Sequence, residues 1–96
     1  MKGRIVWVGK TQGQQDAIVR NGRYTTVVRF KDQSEAEWLK EAWSLDLTEL
    51  IPEGNNIMNA TVEFLSPSAP IERLRIGSAF QLYEGPRCVA EGEITS

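Results

Sequence analysis

The chain predicts an all-β domain, a barrel or sandwich of six or seven short antiparallel strands. Three observations carry this. Short β-branched and aromatic runs are separated by turn dipeptides at regular intervals, which is the pattern of strands rather than of a helical bundle. Only one stretch, near residues 33–42, has a helical signal. Ninety-six residues suffice for one core, and no repeat or second composition divides them.

Taken in order, KGRIVWV reads as a strand ending at Gly9. DAIVR reads as a short strand, Asn21-Gly22 as a tight hairpin turn, and RYTTVVRF as the returning strand. Ser34 and Glu37 have the spacing of a capping box, and Trp38, Leu39 and Ala42 follow like one stripe of a short helix. WSLDLTEL alternates, placing Trp43, Leu45 and Leu47 on one face. After the turn PEGNN, IMNATVEFL alternates again, with Met58, Ala60, Val62 and Phe64 inward. The two prolines of SPSAPIERLRIGS exclude a central strand, so this is a crossing loop whose Ile71, Leu74 and Ile76 are expected to cap the barrel end. AFQLY and RCVAEGEI flank EGPR as a final hairpin.

Several activities lack their residues. Gly9-Lys10-Thr11 ends like a phosphate-binding loop, but Arg4 stands where the first glycine is needed, Gly3 is one residue early, and the intervening RIVWV reads as a strand. A helix should then follow, whereas Gly13 and Asn21-Gly22 read as loop punctuation. No nucleotide site is expected. The chain has no histidine and a single cysteine, Cys88, so the common zinc sites and the Ser-His-Asp or Cys-His pairs cannot be assembled. Glu84, Glu91 and Glu93, with Glu63, read as the wet face of strands. The expectation is no enzyme, no metal and no cofactor. With one cysteine and no apolar run long enough to span a bilayer or serve as a secretory signal, a cytoplasmic protein is expected.

Charge is unevenly distributed. Residues 1–31 carry seven basic side chains against Asp16 alone, and residues 32–96 carry four basic against twelve acidic. The asymmetry suits a surface for nucleic acid or for an acidic protein, or adjacent strands of opposite charge that pair with each other in the fold.

The closing stretch VEFLSPSAPIERLRIGSAFQLYEGPRCVAEGEI resembles the end of the C-terminal β-barrel domain of bacterial translation elongation factor Tu. There a proline-containing crossing leads to a hairpin whose turn carries Glu-Gly-x-Arg before a Val-x-x-Gly strand. Here these are Glu84-Gly85-Pro86-Arg87 and Val89-Ala90-Glu91-Gly92. WVGKTQG is similar to the family's opening strand and Lys-containing turn, NGRY to its Gly-Tyr-Arg, and ELIPEG to its Glu-Leu-Pro-Glu-Gly.

The resemblance implies a six-stranded antiparallel Greek-key-like barrel; the short helix expected near 33–42 is an insertion that the family's barrel lacks. It implies no catalytic machinery, since the family's GTPase resides in another domain. The family's barrel grips the T-stem of aminoacyl-tRNA and meets the nucleotide-exchange factor. Where the family has basic and imidazole side chains after its first turn, this chain has Gln14, Gln15 and Asp16.

Two functions follow as expectations. The first is a binding module for a protein partner, either translation-related or a toxin neutralised by an immunity-like domain. Its contacts would be Trp38 with Glu35, Glu37 and Glu41, joined for a basic toxin by Asp46 and Glu49. The alternative is weak RNA or tRNA binding through the basic N-terminal hairpin, using Lys10, Arg20, Arg23, Tyr24 and Arg29. Either would act as a monomer or homodimer, without membrane or nucleotide.

Overall fold

In the computed structural model, which describes residues 1–96, six antiparallel strands close into a barrel of order β1-β4-β3-β2-β5-β6. They are β1 (Lys2–Trp7), β2 (Arg23–Phe30), β3 (Trp43–Gly54), β4 (Ile57–Phe64), β5 (Ala79–Glu84) and β6 (Arg87–Ile94). Two hairpins, β3-β4 and β5-β6, join sequence neighbours. Pairing of β1 with β6, from Gly3 opposite Ile94 to Trp7 opposite Ala90, closes the ring and leaves no free edge.

Period-two alternation fills the interior. Ile5, Val28, Leu45, Leu47, Val62, Leu82 and Ile94 are buried there, with Phe30 and Phe80 in edge-to-face contact at 6.2 Å between ring centroids. The inward faces expected of residues 43–47 and 58–64 are those observed, with Trp43 and Phe64 half-buried at the rim. Gly92 points inward where a Cβ would lie 2.5 Å from the Phe80 ring. Its missing side chain is what lets that ring lie against β6.

One element differs from the sequence expectation. Residues 16–20 are not a strand but the middle of a helix, α1 (Gln12–Asn21). Thr11 caps it in a reciprocal capping box with Gln14, and Gly22, at φ 76°, ends it by donating its N–H to Ile18 O and Val19 O. Asn21-Gly22 is therefore a helix terminus, not a hairpin turn. The inward face of the helix is formed by Gln15, Ile18 and Val19 at helical spacing. Gln15 is buried and donates to Lys10 O and Asn56 Oδ1, while Ile18 and Val19 pack on the core.

The second helix, α2 (Glu35–Lys40), lies where the capping box placed it. The crossing loop forms a one-turn 3-10 helix, Ile71–Arg73. Of the three residues expected to plug the barrel end, only Leu74 does so; Ile71 and Ile76 are 76% and 72% exposed. Leu74 follows the 3-10 turn and points in, which leaves its flanking isoleucines pointing out.

Candidate protein-binding surface

α2 buries none of its own residues. Its cap uses Ser34 Oγ, which accepts from Glu37 N at 3.1 Å, while Glu37 Oε1 accepts from Ser34 N at 3.5 Å. Glu35 and Glu37 in the first turn and Lys40 in the last complement the helix dipole. A six-residue helix is too short to persist alone, so something must hold it to the barrel.

That anchor is Trp38. Its indole N–H donates to Val28 O at 2.9 Å, and its ring packs on Tyr83 with centroids 4.8 Å apart. The Arg29 guanidinium lies 5.5 Å from the same ring. Trp38 is thus half-buried with its polar atom satisfied, and it positions the helix. What the helix presents outward is Leu39, 72% exposed, one turn from the exposed Glu35. Beside it a cleft of about 280 Å³ runs between α2 and the crossing loop, and Glu37, Glu41 and Glu72 line it together with Lys40 and Arg73. Sequence reasoning placed the acids here but assigned Leu39 to the buried stripe. No signal in a six-residue segment distinguishes which of two adjacent apolar side chains turns inward. Asp46 and Glu49 lie elsewhere, on β3, paired with Arg23 at 2.7 Å and Lys2 at 3.7 Å.

The five residues of the RNA alternative do not form one face. With α1 in place of a hairpin strand, Arg20 lies exposed in the last turn of that helix. Lys10 Nζ pairs with Glu84 Oε2 at 2.5 Å, and Tyr24 donates its hydroxyl to the same carboxylate. The bonds from Lys10 and Tyr24 hold the Glu84 carboxyl below its ordinary range. Burial first, then the neighbouring Glu84, pushes the Tyr24 phenol above its own. Arg23 is raised by its hydrogen bond to Asp46. Arg23 and Arg29 do share the outer face of β2, but Arg23 is spent on Asp46 and Arg29 sits against Trp38. Opposite charges of the two halves therefore meet inside the fold at Lys2, Lys10 and Arg23.

Gly9-Lys10-Thr11 is followed by a helix after all, yet it forms no phosphate cradle. RIVW lies in β1, Lys10 is taken by Glu84, and the first turn of α1 is closed by its own capping box. No group of three or more metal-ligating side chains comes together, and no helix is long and apolar enough to cross a membrane. Comparison with protein-family models, curated proteins and solved structures finds no match.

Proposed function

We propose that this chain is a non-enzymatic binding module in which the barrel is a rigid scaffold and α2 is the face offered to a protein partner. The observation that carries the proposal is a helix tethered through Trp38 whose most exposed apolar side chain, Leu39, stands one turn from the exposed Glu35, on a helix flanked by the cleft of Glu37, Glu41 and Glu72. An exposed leucine on an otherwise unpacked helix supplies apolar area, and the acids of that helix and its cleft select by charge. The matching partner is a basic protein segment with an apolar side chain to cover Leu39. A translation-related protein and a basic toxin, held in an immunity-like complex, both fit that description.

Architecture adds to this reading. We take the barrel to be of the kind found as the C-terminal domain of elongation factor Tu, on the support of Glu84-Gly85-Pro86-Arg87 in the β5-β6 turn and of Val89 and Gly92 in β6. α2 is the addition to that plan, which favours it as the place of a function particular to this chain. The half-buried lone thiol of Cys88, raised by burial, suits a reducing cytoplasm. RNA binding through Lys10, Arg20, Arg23, Tyr24 and Arg29 has less support, because Lys10 and Arg23 are already neutralised.

The test is capture from lysate with and without ribonuclease, comparing the native chain with Leu39→Asp and with Glu35→Lys/Glu41→Lys. The expected outcome is a protein retained through ribonuclease treatment and lost with both variants, whose thermal unfolding stays near that of the parent. Recovery of RNA alone, at low salt, would replace this reading with the RNA alternative.

A further inference from the structure

The wall formed by β1, β6, β5 and β2, with the crossing loop at its end, gathers four cations that the fold does not pair. Cross-strand register sets Arg4 opposite Glu93, and Glu93 opposite Ala79. It also sets Arg29 opposite Gln81, and Gln81 opposite Glu91. A concavity of about 620 Å³ lies over these rows, lined by Arg4, Arg29 and Lys31 with Glu91 and Glu93. It adjoins a second of about 490 Å³, which shares Lys31 and Ala79 and adds Arg73, Arg75 and Asp32. Five cations thus face one trench. Only Arg73 is bridged, to Asp32 at 2.8 Å. Arg4, Arg29, Lys31 and Arg75 have no ion-pair partner.

We propose that this trench is a second interaction surface, which takes an acidic polypeptide segment. Four of its five cations are arginines, whose planar fork matches a carboxylate in two parallel hydrogen bonds. The distribution of the remaining groups decides between a peptide and a nucleic acid. Glu91, Glu93 and Asp32 stand in the same trench, and a phosphate chain carries negative charge along its whole length and would meet all three. A peptide places carboxylates only where its sequence puts them, and offers N–H groups to the acids between. Single-stranded nucleic acid also needs open aromatic faces for its bases. Phe30 and Phe80 are buried here, and Trp38 is occupied by Tyr83 and Arg29. Ile76, exposed at the rim, supplies an apolar contact for a peptide side chain. The trench meets the α2 cleft at Arg73, which lines both, but Leu39 itself is not in its lining, so the proposal does not depend on the Leu39 contact.

Fluorescence anisotropy tests this with the whole chain and two labelled probes, a glutamate-rich peptide and an oligouridylate of equal length. The peptide should bind in low salt and weaken as salt rises. Lys31→Glu/Arg75→Glu, both at exposed positions, should weaken it by about tenfold. Arg20→Glu, which changes net charge on α1 away from the trench, should leave it unchanged, as should Leu39→Asp. Amide shifts on peptide addition should concentrate at Gly77, Ser78 and Ala79. Three results would overturn the proposal: no peptide binding at low salt, equal loss in Arg20→Glu, or tighter oligouridylate binding lost in the Lys31→Glu/Arg75→Glu variant.

Discussion

At Glu84 a single carboxylate collects Lys10 and Tyr24 and thereby ties the turn before α1 and the start of β2 to the end of β5. Its folded pKa lies below the ordinary 4.5, so its stabilisation is complete above that value and disappears as pH falls through the lowered folded value. Glu84→Gln should therefore lower stability at neutral pH and flatten the acid limb of a stability-against-pH curve. An acid limb as steep as the parent's would remove Glu84 as its source. Gly92 is constrained by contact rather than conformation. A methyl there must displace the Phe80 ring, so Gly92→Ala should cost about 1–3 kcal/mol in denaturant unfolding. A neutral result would mean that Phe80 has room to turn aside. Both stand out in the sequence only as motif positions, and what each does is set by partners far along the chain, Lys10 and Tyr24 for Glu84 and the Phe80 ring for Gly92.

Among the elements, the two helices were legible to different degrees. α2 announces itself through Ser34 and Glu37 because both halves of a capping box are local. α1 has an equally complete box in Thr11 and Gln14, but its apolar residues Ile18 and Val19 are adjacent and sit before Asn21-Gly22. Five residues cannot separate a period of two from one of 3.6, and Asn-Gly suits both a hairpin and a helix end. The structure resolves the ambiguity through Gln15, a polar residue buried against Asn56, which lies 41 positions away. Gly22 holds the left-handed conformation, so Gly22→Ala should cost about 1–2 kcal/mol, with the loss seen in helix α1 by amide exchange. Unchanged protection across residues 12–21 would show that the cap is dispensable. Trp38→Phe removes one donor and keeps most of the ring. It should leave barrel unfolding within about 1 kcal/mol of the parent while speeding amide exchange in α2. Slow exchange in that variant would mean that the ring contacts alone hold the helix.

Across the whole molecule, closure of β1 on β6 makes the barrel one cooperative unit with no element left at an edge. Val62 is fully buried in its wall, so Val62→Asp would bury an unpaired charge and should abolish cooperative unfolding. A soluble variant with a sharp thermal transition would require a different interior. Closure also explains how a chain with a basic beginning and an acidic remainder is balanced. Lys2 meets Glu49, Lys10 meets Glu84 and Arg23 meets Asp46, each across strands distant in sequence. The trench gathers Arg73 and Arg75 from the crossing loop beside Arg4 and Arg29, a grouping that no count over the first third of the chain could have made, while Arg20, Lys40 and Arg87 stand without an ion pair elsewhere.

By itself the sequence determined an all-β fold with a strand at each of β1 to β6, the inward faces of β3 and β4 and the inserted helix near Glu35–Lys40, because alternation and capping are written in neighbouring residues. Tertiary structure alone decided that residues 12–21 are helical, that Leu39 faces outward while Trp38 is the anchor, and which charges are neutralised. These outcomes depend on contacts between residues tens of positions apart. Their energies are set by burial and by cross-strand register, quantities that a closed barrel defines and a local stretch of sequence does not.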